Sequence, residues 1–140
     1  MFTKANIIST IVLTIWGFGG GYLLWGILAE NLFADHILTD GLMREIPDLV
    51  YIFAGCLIQA FAFSTIYGRF GLNSYSAGSG FALGFWIALL AGLGEGLIDF
   101  ATANILDLQG TLINFVLTLV FFGIMGLLAG LVYGKTTSTK

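Results

Sequence analysis

Four long apolar stretches fix what this chain can fold into. They run over about residues 7–28, 49–67, 81–103 and 108–133, and each is about 19–26 residues long. As α-helix such stretches reach roughly 28–39 Å, at about 1.5 Å per residue. That is enough to cross a hydrocarbon core of about 30 Å, with tilt for the longest. Spanning β-strands alternate in polarity over about ten residues. The segment 87–98, IALLAGLGEGLI, is instead apolar and small throughout. Composition closes the other exits. Charged residues make up 9% of the chain, against about 25% in soluble domains. Thirteen charges (five basic, eight acidic) cannot cover a soluble surface. At 58% hydrophobic, the chain is also far from the composition of disorder. The expectation is a single transmembrane domain over residues 1–140: an all-α integral membrane four-helix bundle. The first stretch, at about 22 residues, is longer than the roughly 7–15 of a signal peptide core and reads as a span.

The basic residues set an orientation. In a four-span arrangement Lys4, Arg69, Lys135 and Lys140 share one side, and Arg44 lies on the other. The positive-inside rule then puts both termini in the cytoplasm, in a plasma (bacterial inner) membrane. All eight acids fall at or toward the outer side. No basic run points to nucleic acid. Between the spans, 31–46 is amphipathic and predicts a short interfacial helix. Pro47 suits the first turn of the second helix. Residues 68–79 read as a flexible turn, 104–107 as a tight reversal and the tail as a frayed end. A weak internal repeat, IPDL with ILDL and IYGR with VYGK, suggests two pseudo-repeated helical hairpins. The simpler reading is that Tyr marks interfaces and Lys or Arg the cytoplasmic side. On that reading Tyr67 and Tyr133 form the inner aromatic belt and Trp25 the outer one.

Twenty glycines would be costly in soluble helices but let membrane helices approach closely. The third span carries small residues every fourth position: Gly80, Gly84, Ala88, Gly92 and Gly96. Gly17 and Gly21 in the first span, and Gly126 and Gly130 in the fourth, have GxxxG spacing. These three seams predict close packing, against either this chain or another.

Chemistry-bearing residues are few. Glu95 and Asp99 are four apart and share a helix face. An acid at a helix centre costs on the order of 3 kcal/mol to insert, so Glu95 needs a partner or a proton. Depth arithmetic puts Tyr22, Gln59 and Asn114 near it. The expectation is a polar layer of Glu95, Asp99, Tyr22, Gln59 and Asn114. It reads either as a proton or cation site or as interhelical hydrogen-bond glue, worth about 0.6 kcal/mol per contact. Glu30, Asp35, His36 and Asp107 form an outer acidic face. His36 among acids has plausible metal chemistry, but its spacing matches no motif and no metal is predicted. The single cysteine, Cys56, excludes an internal disulfide and reads as an inert thiol. No GxSxG, HExxH, P-loop or dinucleotide fingerprint occurs, and no Lys or Arg lies inside a span. No catalytic residue and no cofactor is indicated.

The string from Gly17 through Tyr22 and Trp25 to Glu30, Asn31 and Phe33 resembles the first helix of small uncharacterised bacterial four-span membrane proteins. So does the ending Thr102–Leu108 before a Gly-rich fourth helix. That resemblance covers most of the chain. It implies a fold and a membrane location, and carries no activity or site residue. The leading functional expectation is a small non-catalytic accessory or structural subunit. It would sit in the bilayer against other membrane subunits or a second copy of itself. The alternative is a small transporter or channel using Glu95 and Asp99. A membrane enzyme or pigment-binding subunit is a third, weaker class.

Overall fold

The computed structural model describes residues 2–70 and 75–137. The middle of the 68–79 turn, the end of the tail and Lys140 lie outside the described residues. Four helices succeed one another: α1 (Lys4–Phe33), α2 (Leu49–Phe70), α3 (Ala77–Thr102) and α4 (Leu108–Thr137). Each is long and apolar enough to cross a membrane. They run up and down, so Lys4, Arg69 and Lys135 gather at one end, here the basic end.

Local signals explain the helix starts. The Thr3 side chain accepts the Asn6 N–H at 3.1 Å and caps α1. Asp48 accepts from the N–H groups of Val50 and Tyr51 and caps α2, so Pro47 stands just before the helix and not in its first turn. Ser76 and Ser79 bond reciprocally and cap α3. Asp107 caps α4, its Oδ1 accepting the Gly110 N–H at 2.7 Å.

α4 is the central helix. Half of its apolar window is buried, against 39% for α1 and 17% for each of α2 and α3. It packs along α3 on one side and α1 on another, while α2 leans on α1. α2 meets α4 toward the basic end, where Phe63 stacks on Phe122 and Tyr67 meets Tyr133 edge-on. Toward the acidic end residues 49–55 of α2 are exposed all round. Phe53 against Phe18 and Cys56 against Gly17 are among its contacts there.

The α3–α4 contact is backbone against backbone. A Cβ on Gly80 would run into the Gly126 carbonyl, and one on Gly84 into the Phe122 carbonyl. A Cβ on Gly126 would strike the Gly80 carbonyl, and one on Gly130 the Ser76 carbonyl. Farther along, Gly92 faces Thr118 and Gly96 faces Thr111. A strict four-residue repeat drifts about 40° per step round an ideal α-helix. From Gly80 to Gly96 that would be roughly 160°, enough to turn the stripe away from α4. α3 corrects the drift with a π-helical segment, Leu89–Gly94. A π turn inserts one extra residue, worth about 100° of rotation, and so keeps Gly92 and Gly96 toward α4.

A second π segment, Tyr22–Leu28, interrupts α1. The α1 glycines serve mostly their own helix. The Trp16 ring lies over Gly20, and the Tyr22 ring over Gly26. A Cβ on Gly17 would lie 3.3 Å from the Cys56 Cβ of α2, whereas one on Gly21 would lie 3.9 Å from the Phe121 ring. Trp16 Nε1 donates to the Phe121 carbonyl at 3.0 Å, and Trp25 Nε1 to Asn114 Oδ1 at 2.9 Å. Trp25→Phe should therefore cost about 0.6 kcal/mol, the usual worth of one interhelical hydrogen bond in a bilayer. A double-mutant cycle with Asn114→Ala, read by unfolding in mixed micelles, checks that the loss is shared.

The segment after Phe33 is not an interfacial helix. It turns at Gly41, whose φ of 77° is in the left-handed region. It is also tied to the α3–α4 reversal by backbone bonds: Leu38 N–H to Ile105 at 2.9 Å and Asp107 N–H to His36 at 3.0 Å. Those pairings, around the Ile37–Leu106 bridge, compete with helix for the same N–H groups.

Candidate functional site

The acidic end holds the residues picked out by sequence, but they do not converge. Glu95 and Asp99 sit on the segment Glu95–Thr102, just beyond the π turn, and both are exposed on the flank of α3. Tyr22 is 67% exposed, its ring lying along α1 rather than toward α3. Gln59 is exposed on α2. Asn114 is half-buried and engaged by Trp25. The arithmetic that gathered these five set their depth and not the face on which each lies. The π segment Leu89–Gly94 rotates Glu95 and Asp99 relative to an unbroken helix, and α2 stands apart from α3 at this end.

At the acidic-end loops His36 and Asp107 do meet. His36 Nδ1 lies 2.9 Å from Asp107 Oδ2, and Thr39 bonds the Asn104 carbonyl. The Gly110 N–H, then the His36 ring, hold the Asp107 carboxyl below the ordinary aspartate range. A Cβ on Gly110 would be 2.8 Å from the His36 Cβ, so glycine there admits the ring. Glu30 and Asp35 are exposed. No group of three His, Cys, Asp or Glu that could hold a metal occurs among the described residues. A depressed folded pKa means a stabilisation present above the ordinary aspartate pKa, near 4, and lost as pH falls through the folded value. Thermal unfolding scanned from pH 6 to pH 2.5 should show the loss of this staple below about pH 4. Asp107→Asn should be less stable at pH 6 and flatter in acid.

The most connected polar cluster lies at the other end. Asn6 is 2% exposed and Ser64 fully buried. The Asn6 amide donates to Ser64 Oγ at 3.1 Å, to Thr65 Oγ1 at 3.2 Å and, more weakly, to Tyr133 OH at 3.4 Å. Tyr133 OH donates to the Ser64 carbonyl at 2.8 Å. Tyr67, Tyr75 and Tyr133 pack ring on ring at 5.0–5.6 Å. Tyr67 OH pairs with Ser79 at 2.7 Å, so α1, α2, α3 and α4 are all tied here. Among the described residues two buried acceptors, Asn6 Oδ1 and Ser9 Oγ, carry no hydrogen bond. The signal for this cluster was in the sequence. Asn6, Ser9, Thr10 and Thr14 recur at helical spacing in an otherwise apolar span. Tyr67 and Tyr133, read as belt residues, are buried instead.

The chain matches no protein-family model, no curated protein and no solved structure. What it does must be argued from its own surfaces.

Proposed function

We propose that the protein is a small non-catalytic subunit of a membrane assembly, resident in the bacterial inner membrane with both termini cytoplasmic. It docks through the acidic half of α3 on a partner helix that carries a basic or amide side chain at the depth of Glu95. One observation carries the reading. The Glu95 carboxyl is exposed on the flank of a spanning helix, where lipid would leave it unsolvated. The chain places no Lys or Arg inside a span to answer it, so a complementary group from outside is the economical remedy. The bare outer half of α2, exposed from residue 49 to 55, supports the same view. The glycine stripes of α3 and α4 face each other, which leaves the carboxylate flank for the partner.

Extraction in a mild detergent and then native electrophoresis tests this. Wild type should migrate well above the monomer mass, and Glu95→Leu should migrate as the monomer. Wild type running alone as a monomer, with nothing copurifying, sinks the reading. The second reading is a proton or cation path, supported by Glu95 and Asp99 sharing one face of α3. Reconstituted vesicles separate the two: flux that is unchanged in Glu95→Gln counts against transport.

A further inference from the structure

At the basic end a cavity of about 380 Å³ opens between the start of α1, the end of α2 and the end of α4. This falls within the range of small-ligand sites, about 300–1,000 Å³. Lys4 and Arg69 line it, with the hydroxyl residues Thr3, Thr65 and Thr136 and the amide of Asn6. No Asp or Glu is among the described residues that line it. The first turn of α1 contributes the positive end of a helix dipole. Asn6, buried in the wall, keeps an amide oxygen without a hydrogen-bond partner.

We propose that this cavity binds a phosphate anion of the kind carried by an acidic phospholipid headgroup. Lys4 supplies a point charge and Arg69 a planar guanidinium suited to phosphate oxygens. The Thr3 and Thr65 hydroxyls, which accept from Asn6, donate to the remaining oxygens. Basic pockets between spanning helices are a recurrent way of holding acidic headgroups. The site lies at the opposite end from Glu95 and stands whether or not the docking reading holds.

The test is native mass spectrometry of the detergent-purified full chain, titrated with phosphatidylglycerol or phosphatidylcholine. Wild type should retain phosphatidylglycerol about tenfold better, an effect near 1.4 kcal/mol. In Lys4→Gln/Arg69→Gln the preference should vanish. In Lys135→Gln, which removes a cation at the same end outside the cavity, it should persist. If the double variant does not fold, Lys4→Gln alone carries the test, because Lys4 is exposed at a helix start; its preference should fall about threefold. In a parallel arm, inorganic phosphate at millimolar concentration is added to lipid-free protein. A rise in Tm in wild type and none in the Lys4→Gln variant would support the anion site with free phosphate as its source. An equal loss in Lys135→Gln, or no difference between wild type and Lys4→Gln with either probe, overturns the proposal.

Discussion

Gly84→Leu should separate α3 from α4 and cost about 3 kcal/mol or more, at the top of the usual range for overpacking. The reason is what the new side chain meets. At Gly84 a Cβ would run into the Phe122 carbonyl and come within 3.1 Å of the Gly123 nitrogen. Backbone in mid-helix cannot move aside as a flexible side chain can, so the helices must part along their length. Parting them also strips Gly80 from Gly126 and Gly130 from Ser76. Even Gly84→Ala should cost about 1–3 kcal/mol. Gly19→Ala and Gly55→Ala are the controls, since nothing lies within 4 Å of a Cβ at either. They should stay within about 0.5 kcal/mol of wild type. Unfolding by dodecyl sulfate in mixed micelles, monitored by tryptophan fluorescence, measures all four.

Tyr133→Ala should be the second large loss, about 3–5 kcal/mol, as for other buried aromatic truncations. Tyr133 is 4% exposed and packs against both Tyr67 and Tyr75. Removing its ring leaves a void where α2, the start of α3 and α4 converge. Removing its hydroxyl alone is a smaller matter. Tyr133→Phe deletes the bond to the Ser64 carbonyl and should cost about 1 kcal/mol. The gap between the two variants, read in the same unfolding experiment, separates packing from hydrogen bonding. Equal losses would mean that the polar network, not the rings, holds this end together.

The architecture was legible because bilayer thickness converts directly into sequence length. Four apolar runs and the position of Asp107 before Leu108 are local facts. What spacing left open was partnership. Gly80 and Gly84 announce a close neighbour, but only their distances to Gly126 and Phe122 say that it is α4. The candidate site was harder to read because helical arithmetic accumulates phase. The π segments Tyr22–Leu28 and Leu89–Gly94 leave no mark in hydropathy, yet they reset the faces on which Trp25 and Glu95 lie. Trp25 consequently takes the amide of Asn114, and Glu95 is left on the flank. The basic-end cluster was missed for a different reason. Asn6, Ser64 and Tyr133 are far apart in sequence, and a tyrosine near a helix end reads equally as a belt residue or a buried one.

The claim that the acidic flank of α3 meets a protein partner is tested most directly by photocrosslinking in native membranes. A photoreactive side chain at Ile98, 56% exposed and one turn from Glu95, is compared with one at Ile15, 70% exposed on α1. The account predicts a protein adduct of a single defined mass from position 98, lost when Glu95 is changed to Leu, and lipid adducts from position 15. Lipid adducts alone from both positions would contradict it.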